Sequence, residues 1–209
     1  MKRRFLLAIP SLLLSRHAWA AGKFAPTAQD RADIAAVEAY LNGVKRLKAR
    51  FLQVAPNGAI SGGTMWLDRP GRMRFDYDPP APFLLIANYG ILIYHDKQLD
   101  QTSNIPLSQT PLGILLGDRV KLSGDVEVTG IERLPGEIIL TVQRTNSPGD
   151  GSLALNFVDK PLTLRQWTVT DPQRQETRVT LVNPESSSSF DPKLFEFKPP
   201  SNAFGGSNG

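Results

Sequence analysis

From Arg50 onward the chain keeps a period of two, and clusters of Pro and Gly cut that alternation into short runs. The runs fall at 50–55, 60–69, 72–78, 82–87, 91–95 and 98–102, then at 124–133, 137–144, 152–158, 163–170 and 175–182. Turns as short as Leu134-Pro-Gly136 and Asp171-Pro-Gln173 leave no room for a crossover helix, so successive strands run antiparallel. About eleven such strands with few helices among them predict one large, curled antiparallel sheet, closed or nearly closed on itself.

Two segments break the alternation. Thr27-Ala-Gln-Asp30 has the form of a capping box with Asp in place of Glu. Ile34, Val37, Leu41, Val44 and Leu47 follow at helical spacing, which predicts an amphipathic helix over 28–47. The second break is "IPLSQTPLGILLGD", residues 105–118, where Leu107, Leu112, Leu115 and Leu116 stand near helical spacing. Pro106 and Pro111 limit its length and Gly117 is placed to end it. So short and apolar an insertion between strands either plugs the sheet permanently or lies across its mouth as a cover.

An arginine sits among the inward candidates. In "MWLDRPGRMRFDYDPP", residues 65–80, alternation puts Met65, Leu67 and Arg69 on one face. Either the apolar face has ended by residue 69, or the interior needs a cation. Met73, Phe75 and Tyr77 share a face of the next strand, and Phe51 lies on the strand before. Leu85, Ile91 and Ile93 come from strands so rich in apolar residues that alternation does not settle their facing. All of these are candidates to line an apolar cavity; ordinary core packing is the alternative.

The amino terminus reads as an address. Lys2, Arg3 and Arg4, the apolar run from Phe5 to Leu14 and Ala18-Trp19-Ala20 make a secretory signal peptide over residues 1–20. The run is about ten residues, too short to span a bilayer. It also carries the basic excess: four of the 24 Lys and Arg and none of the 20 Asp and Glu precede residue 21, so the rest has a formal charge of zero. A nucleic-acid or anionic partner recognised by bulk charge is therefore not expected. The remaining organisation is one domain over 21–200 and a Gly/Ser/Asn-rich flexible tail over 201–209.

The chemistry of catalysis is thin. The chain has no cysteine, which excludes disulfides, thiol catalysis and cysteine-bound metal. Past residue 20 the one histidine is His95, read as a surface or turn residue, and no G-x-S-x-G elbow accompanies it. Asp76 and Asp78 share a strand face with Arg72 and Arg74, which reads as a solvated, charge-balanced surface rather than an acid–base pair. Gly149-Asp-Gly151-Ser-Leu-Ala154 fits a dinucleotide fingerprint in letters only; it lies between two strands and reads as a hairpin turn. No enzyme activity, cofactor or metal is expected.

Five stretches in this order resemble the LolA carriers, which move lipoproteins across the periplasm to the outer membrane of Gram-negative bacteria. They are "ARFLQ" (49–53), "GTMWLDRPGRMRFDY" (63–77), "LLIANYGILIYHDKQLDQ" (84–101), "TPLGILL" (110–116) and "DPKLFEFKPP" (191–200). Asn88-Tyr-Gly90 departs from the Asp-Gly common at that hairpin, and His95 stands where an aromatic is common. The resemblance implies a mainly β (α+β) fold: an incomplete barrel of about eleven strands, covered by the N-terminal helix and the short inserted helix. It also implies a monomeric periplasmic chaperone that buries a lipoprotein's acyl chains in an apolar cavity. An inner-membrane lipoprotein-releasing ABC transporter supplies such a carrier, and an outer-membrane acceptor, where present, relieves it. Arg69 would then lie inside, near the covering helices, as a latch on carbonyls of the lid that Leu107, Leu112, Leu115 and Leu116 form. The alternative reading is a periplasmic lipid- or lipoprotein-sensing domain acting on a membrane partner.

Overall fold

The computed structural model describes residues 24–198. The expected signal peptide and tail lie outside the described residues. Helix α1 (Ala28–Gly43) starts where the capping box predicts: the Thr27 hydroxyl accepts from the Asp30 amide at 3.1 Å, and the Thr27 amide donates to the Asp30 carboxylate at 2.7 Å. It ends four residues earlier than the spacing suggests. Gly43 is a weak helix former, Val44 is already extended, and strand β1 (Arg46–Val54) recruits Leu47 into a ladder with Leu67 and Ser186.

Ten more strands follow: β2 (Ile60–Asp68), β3 (Arg72–Tyr77), β4 (Phe83–Asn88), β5 (Ile91–Asp96), β6 (Gln101–Pro106), β7 (Val126–Leu134), β8 (Glu137–Arg144), β9 (Ser152–Val158), β10 (Thr163–Thr170) and β11 (Glu176–Ser186). They form one antiparallel sheet in the order β6-β5-β4-β3-β2-β1-β11-β10-β9-β8-β7. Two meanders thus meet at β1 and β11, and the sheet stays open between its edges β6 and β7. The chain from β6 to β7 bridges that gap through a 3₁₀ turn (Leu107–Gln109) and helix α2 (Gly113–Leu116). β6 runs on to Pro106, past the expected 98–102, so the first two residues of the 105–118 insertion belong to the edge strand. The Gly149–Gly151 stretch is a hairpin connection, as read from its context.

Val37 and Leu41 of α1 are buried against the sheet's concave face, where Met65, Met73, Phe75, Leu140, Leu155 and Trp167 join one apolar core. Gly63 lets the strands close up: a Cβ there would lie 2.0 Å from the Asp76 carbonyl oxygen and 2.6 Å from the Phe51 ring, so no larger residue fits. At the far end of α1, Arg133 of β7 ties the helix to the sheet edge through Asp30 (2.6 Å) and Asp33 (2.5 Å). The Thr27 amide, then Arg133, hold the Asp30 carboxyl down from its ordinary 3.8 to about 2. A depressed carboxyl stabilises the fold above its unfolded value and loses that contribution as pH falls through its folded value. Asp30→Asn is therefore expected to lower the melting temperature at pH 7. The gap to wild type should narrow below about pH 4 and close near pH 2 in scans across that range.

The convex face is partly covered as well. A 3₁₀ turn at Pro192–Phe195 lies over β3 and β4, where Arg74 donates to the Leu194 carbonyl (3.0 Å) and Asn88 to that of Phe195 (3.0 Å). His95 is consequently buried, its ring 5.3 Å from Phe197 and its Nδ1 3.0 Å from the Thr102 hydroxyl. The expected surface histidine is covered by a segment a hundred residues away. Arg72 pairs with Asp68, Arg74 with Asp76 and Arg50 with Asp78, so the two candidate carboxylates are held in separate ion pairs.

Candidate functional site

Between α1, α2 and the concave face lies a partly enclosed cavity of about 40 Å³. Its walls are Tyr40, Leu41 and Val44 from α1 and its end, Leu47, Met65, Leu67 and Met73 from β1–β3, Leu115 from α2, and Leu164, Trp167 and Leu181 from β10 and β11. One charged residue completes them, Arg69. Pockets that take a drug-sized ligand measure about 300–1,000 Å³, so this space is too small for an acyl chain. The interior is apolar, walled by both meanders, and nearly shut.

Arg69 reaches the ends of both helical pieces, for a reason that helix geometry supplies. The last four carbonyls of a helix have no partner within it, and α1 and the stretch after α2 both end beside β2. The Arg69 guanidinium donates to the carbonyls of Leu41 and of Val44 (3.3 Å) at the end of α1. It also donates to that of Gly117 (2.8 and 3.1 Å) and reaches that of Asp118 (3.5 Å) beyond α2. Its own amide donates to the Lys45 carbonyl (2.9 Å), and the Gly71 amide to that of Leu116 (2.8 Å). Five N–H donors in a planar fork suit a ring of carbonyls as no other side chain does. Burial pushes the guanidinium below its ordinary range and Asp118 offsets part of that; it stays a cation. The neighbouring Asp68, 2% exposed, is engaged by Arg46 (2.9 Å) and Arg72 (2.7 Å) and leaves Arg69 to the carbonyls.

Of the sequence candidates, Met65, Leu67, Met73, Leu115 and Arg69 meet at the cavity. Phe51, Phe75 and Tyr77 share the concave face but stack edge to face beside it, with centroids 4.8 and 5.0 Å from Phe51. Burial pushes the Tyr77 phenol up to about 12, Tyr94 adds to that, and a hydrogen bond to Gln53 opposes it. Leu85, opposite Phe75, packs against the core, and Leu107, Leu112 and Leu116 are buried in the cover. Ile91 and Ile93 do not line the interior. Ile93 is paired with Ile86, which stands opposite Arg74 on the convex face, and alternation carries Ile91 there too. Leu41, Val44 and Leu47, expected as the apolar face of the first helix, complete the walls, with Tyr40, Leu164, Trp167 and Leu181, which the sequence did not single out. For Leu164 and Trp167 the reason is local: a bulge at Arg165 shifts the register on β9, so two inward residues stand three apart.

An open antiparallel barrel with two helices over its apolar concave face is the architecture these residues define. The chain belongs to the LolA family: the model of that family, described as outer membrane lipoprotein carrier protein LolA, matches residues 42–198. It is 28% identical over 209 residues to an outer-membrane lipoprotein carrier protein of Methylococcus capsulatus, covering 94% of each chain. To one of Alkalilimnicola ehrlichii it is 30% identical over 188 residues, 86% of this chain and 84% of that one. Among solved structures, a LolA superfamily protein from Nitrosomonas europaea matches with a TM-score of 0.43 at 11% identity, over 78% of this chain and 97% of that one. Among the described residues no helix is long and apolar enough to cross a membrane.

Proposed function

We propose that this protein is a periplasmic lipoprotein carrier. It receives acylated lipoproteins from an inner-membrane ABC transporter, encloses their acyl chains between its helices and the concave sheet, and gives them up at the outer membrane. The observation that carries this reading is the apolar interior beneath two helical pieces that Arg69 holds by hydrogen bonds. Each methylene kept from water is worth about 0.8 kcal/mol, so one chain of about sixteen carbons amounts to roughly 12 kcal/mol. A lipoprotein left in the aqueous periplasm therefore needs an escort. The escort has to bind more weakly than the next acceptor. A cover that shuts over an unfilled interior supplies that weakness, because the binding-competent open form is then only a fraction of the population.

In this reading α1 and the 107–118 segment open together as Arg69 lets go of the helix-end carbonyls. Met65, Leu67, Met73, Trp167 and Leu181 become the floor on which an acyl chain lies, and the methionines adapt to chains of differing length. The family membership supports the lipoprotein as cargo.

The test is release of newly made lipoproteins from spheroplasts incubated with the purified chain lacking residues 1–20. A soluble complex of one carrier and one lipoprotein is the expected result. If no lipoprotein leaves the membrane while a membrane regulator co-purifies with the chain, the carrier reading is wrong.

A further inference from the structure

The cover consists of two pieces that touch the sheet separately, and one polar side chain joins them. Asn42, in the last turn of α1, faces the stretch after α2. Its amide donates to the Val120 carbonyl (2.9 Å), its oxygen accepts from the Val120 amide (2.9 Å), and its second N–H goes to the Glu38 carbonyl (2.8 Å). The side chain thus pairs with Val120 as a neighbouring strand would, using both donors and its oxygen. Asp118 and Arg119 are exposed, so the 117–120 strap has little burial of its own to position it; only Val120 is buried, at 2% exposure.

We infer that Asn42 is a positioning residue of the closed cover: it fastens the strap to α1, so that the Gly117 carbonyl faces Arg69 and the two pieces move as one body. This rests on the carrier reading, and it assigns different work to two polar residues. Arg69 holds the cover to the sheet. Asn42 holds the cover together. The sequence positions agree with such a division, because Asn42 lies between Leu41 and Val44, whose carbonyls Arg69 takes, and Val120 lies just past Gly117 and Asp118, whose carbonyls it also takes.

Asn42→Leu keeps the volume and removes the pairing; Asn42→Asp keeps the acceptor for the Val120 amide and sets a carboxylate against two carbonyls. Each variant is titrated with a fluorescent palmitate analogue beside wild type and Arg69→Leu. With the strap loosened, the closed form is less populated and the apparent affinity rises, by about tenfold for Asn42→Leu, equal to about 1.4 kcal/mol, and by less for Asn42→Asp. A residue that merely supports the fold would lower the melting temperature without tightening binding. Hydrogen exchange gives the second readout: the Val120 amide stays protected in Arg69→Leu, where Asn42 still holds it, and exchanges freely in Asn42→Leu. If Arg69→Leu tightens binding and neither Asn42 variant does, the assignment of Asn42 is overturned while the latched cover stands. If none of the three tightens binding, the latched cover itself is wrong and Asn42 falls with it. Should Asn42→Leu fail to fold, Asn42→Asp decides the question on the same two readouts.

Discussion

Arg69→Leu is expected to bind an acyl probe up to about a hundredfold more tightly than wild type and to surrender it more slowly. The guanidinium is buried and hydrogen-bonded to carbonyls from both pieces of the cover. A hydrogen bond to a charged group contributes about 1.5–3 kcal/mol net. Opening the cover lets water satisfy the freed carbonyls, so the loss to the closed form is nearer two such bonds than four, about 3 kcal/mol or two decades in population. Apparent affinity scales with the open fraction. The gain therefore stops once the open form dominates, and hoarding of cargo follows from the same shift. Titration with a fluorescent palmitate analogue, followed by its transfer to phospholipid vesicles, reads both halves. Unchanged affinity with a lower melting temperature would make Arg69 a prop for the fold and remove the latch from the mechanism.

Trp167→Ala is expected to remove about 3–5 kcal/mol of stability, the range for truncating a buried tryptophan. The indole is 4% exposed, meets Phe75 edge to face at 6.3 Å and walls the cavity from the β10 side. Domains of this size hold about 5–15 kcal/mol in all, so the variant should unfold at a markedly lower urea concentration with the same slope. It also deepens the cavity while leaving Arg69 in place. Apolar cavities of this kind stay dry and take up small apolar molecules, so benzene should raise the variant's melting temperature and leave wild type unaffected. If benzene stabilises neither, the site has collapsed around the missing ring.

How much of this was legible in the sequence depended on how local the cause was. The capping box at Thr27 and Asp30 and the alternation of the strands are local, and both read correctly. Parity alone kept Arg69 with Met65 and Leu67, and the cavity contains all three. The end of α1 was misread because Val44 and Leu47 suit a helix and a strand equally, and pairing with β2 and β11 decides between them. His95 could not be placed from its neighbours, since the segment that buries it comes from the far end of the chain. Ile91 and Ile93 look like interior residues because both faces of β5 are apolar; they stand on the convex face, where Ile91 is 42% exposed. The β10 wall hid behind a bulge, which breaks the count on which facing depends.

The unjoined edges of the sheet have a mechanical consequence. In a closed barrel, strand number and stagger set the girth, and widening it means breaking a ladder. Here β6 and β7 bear no ladder between them. The cylinder is slit along its length, and its circumference is free to change by small adjustments of twist at each of ten intact seams. Widening a slit tube of this kind breaks no ladder, as in a spring clip. Among the described residues the segment from Leu107 to Asp125 runs from one lip of the slit to the other, so on the carrier reading spreading the lips and lifting the cover are a single movement.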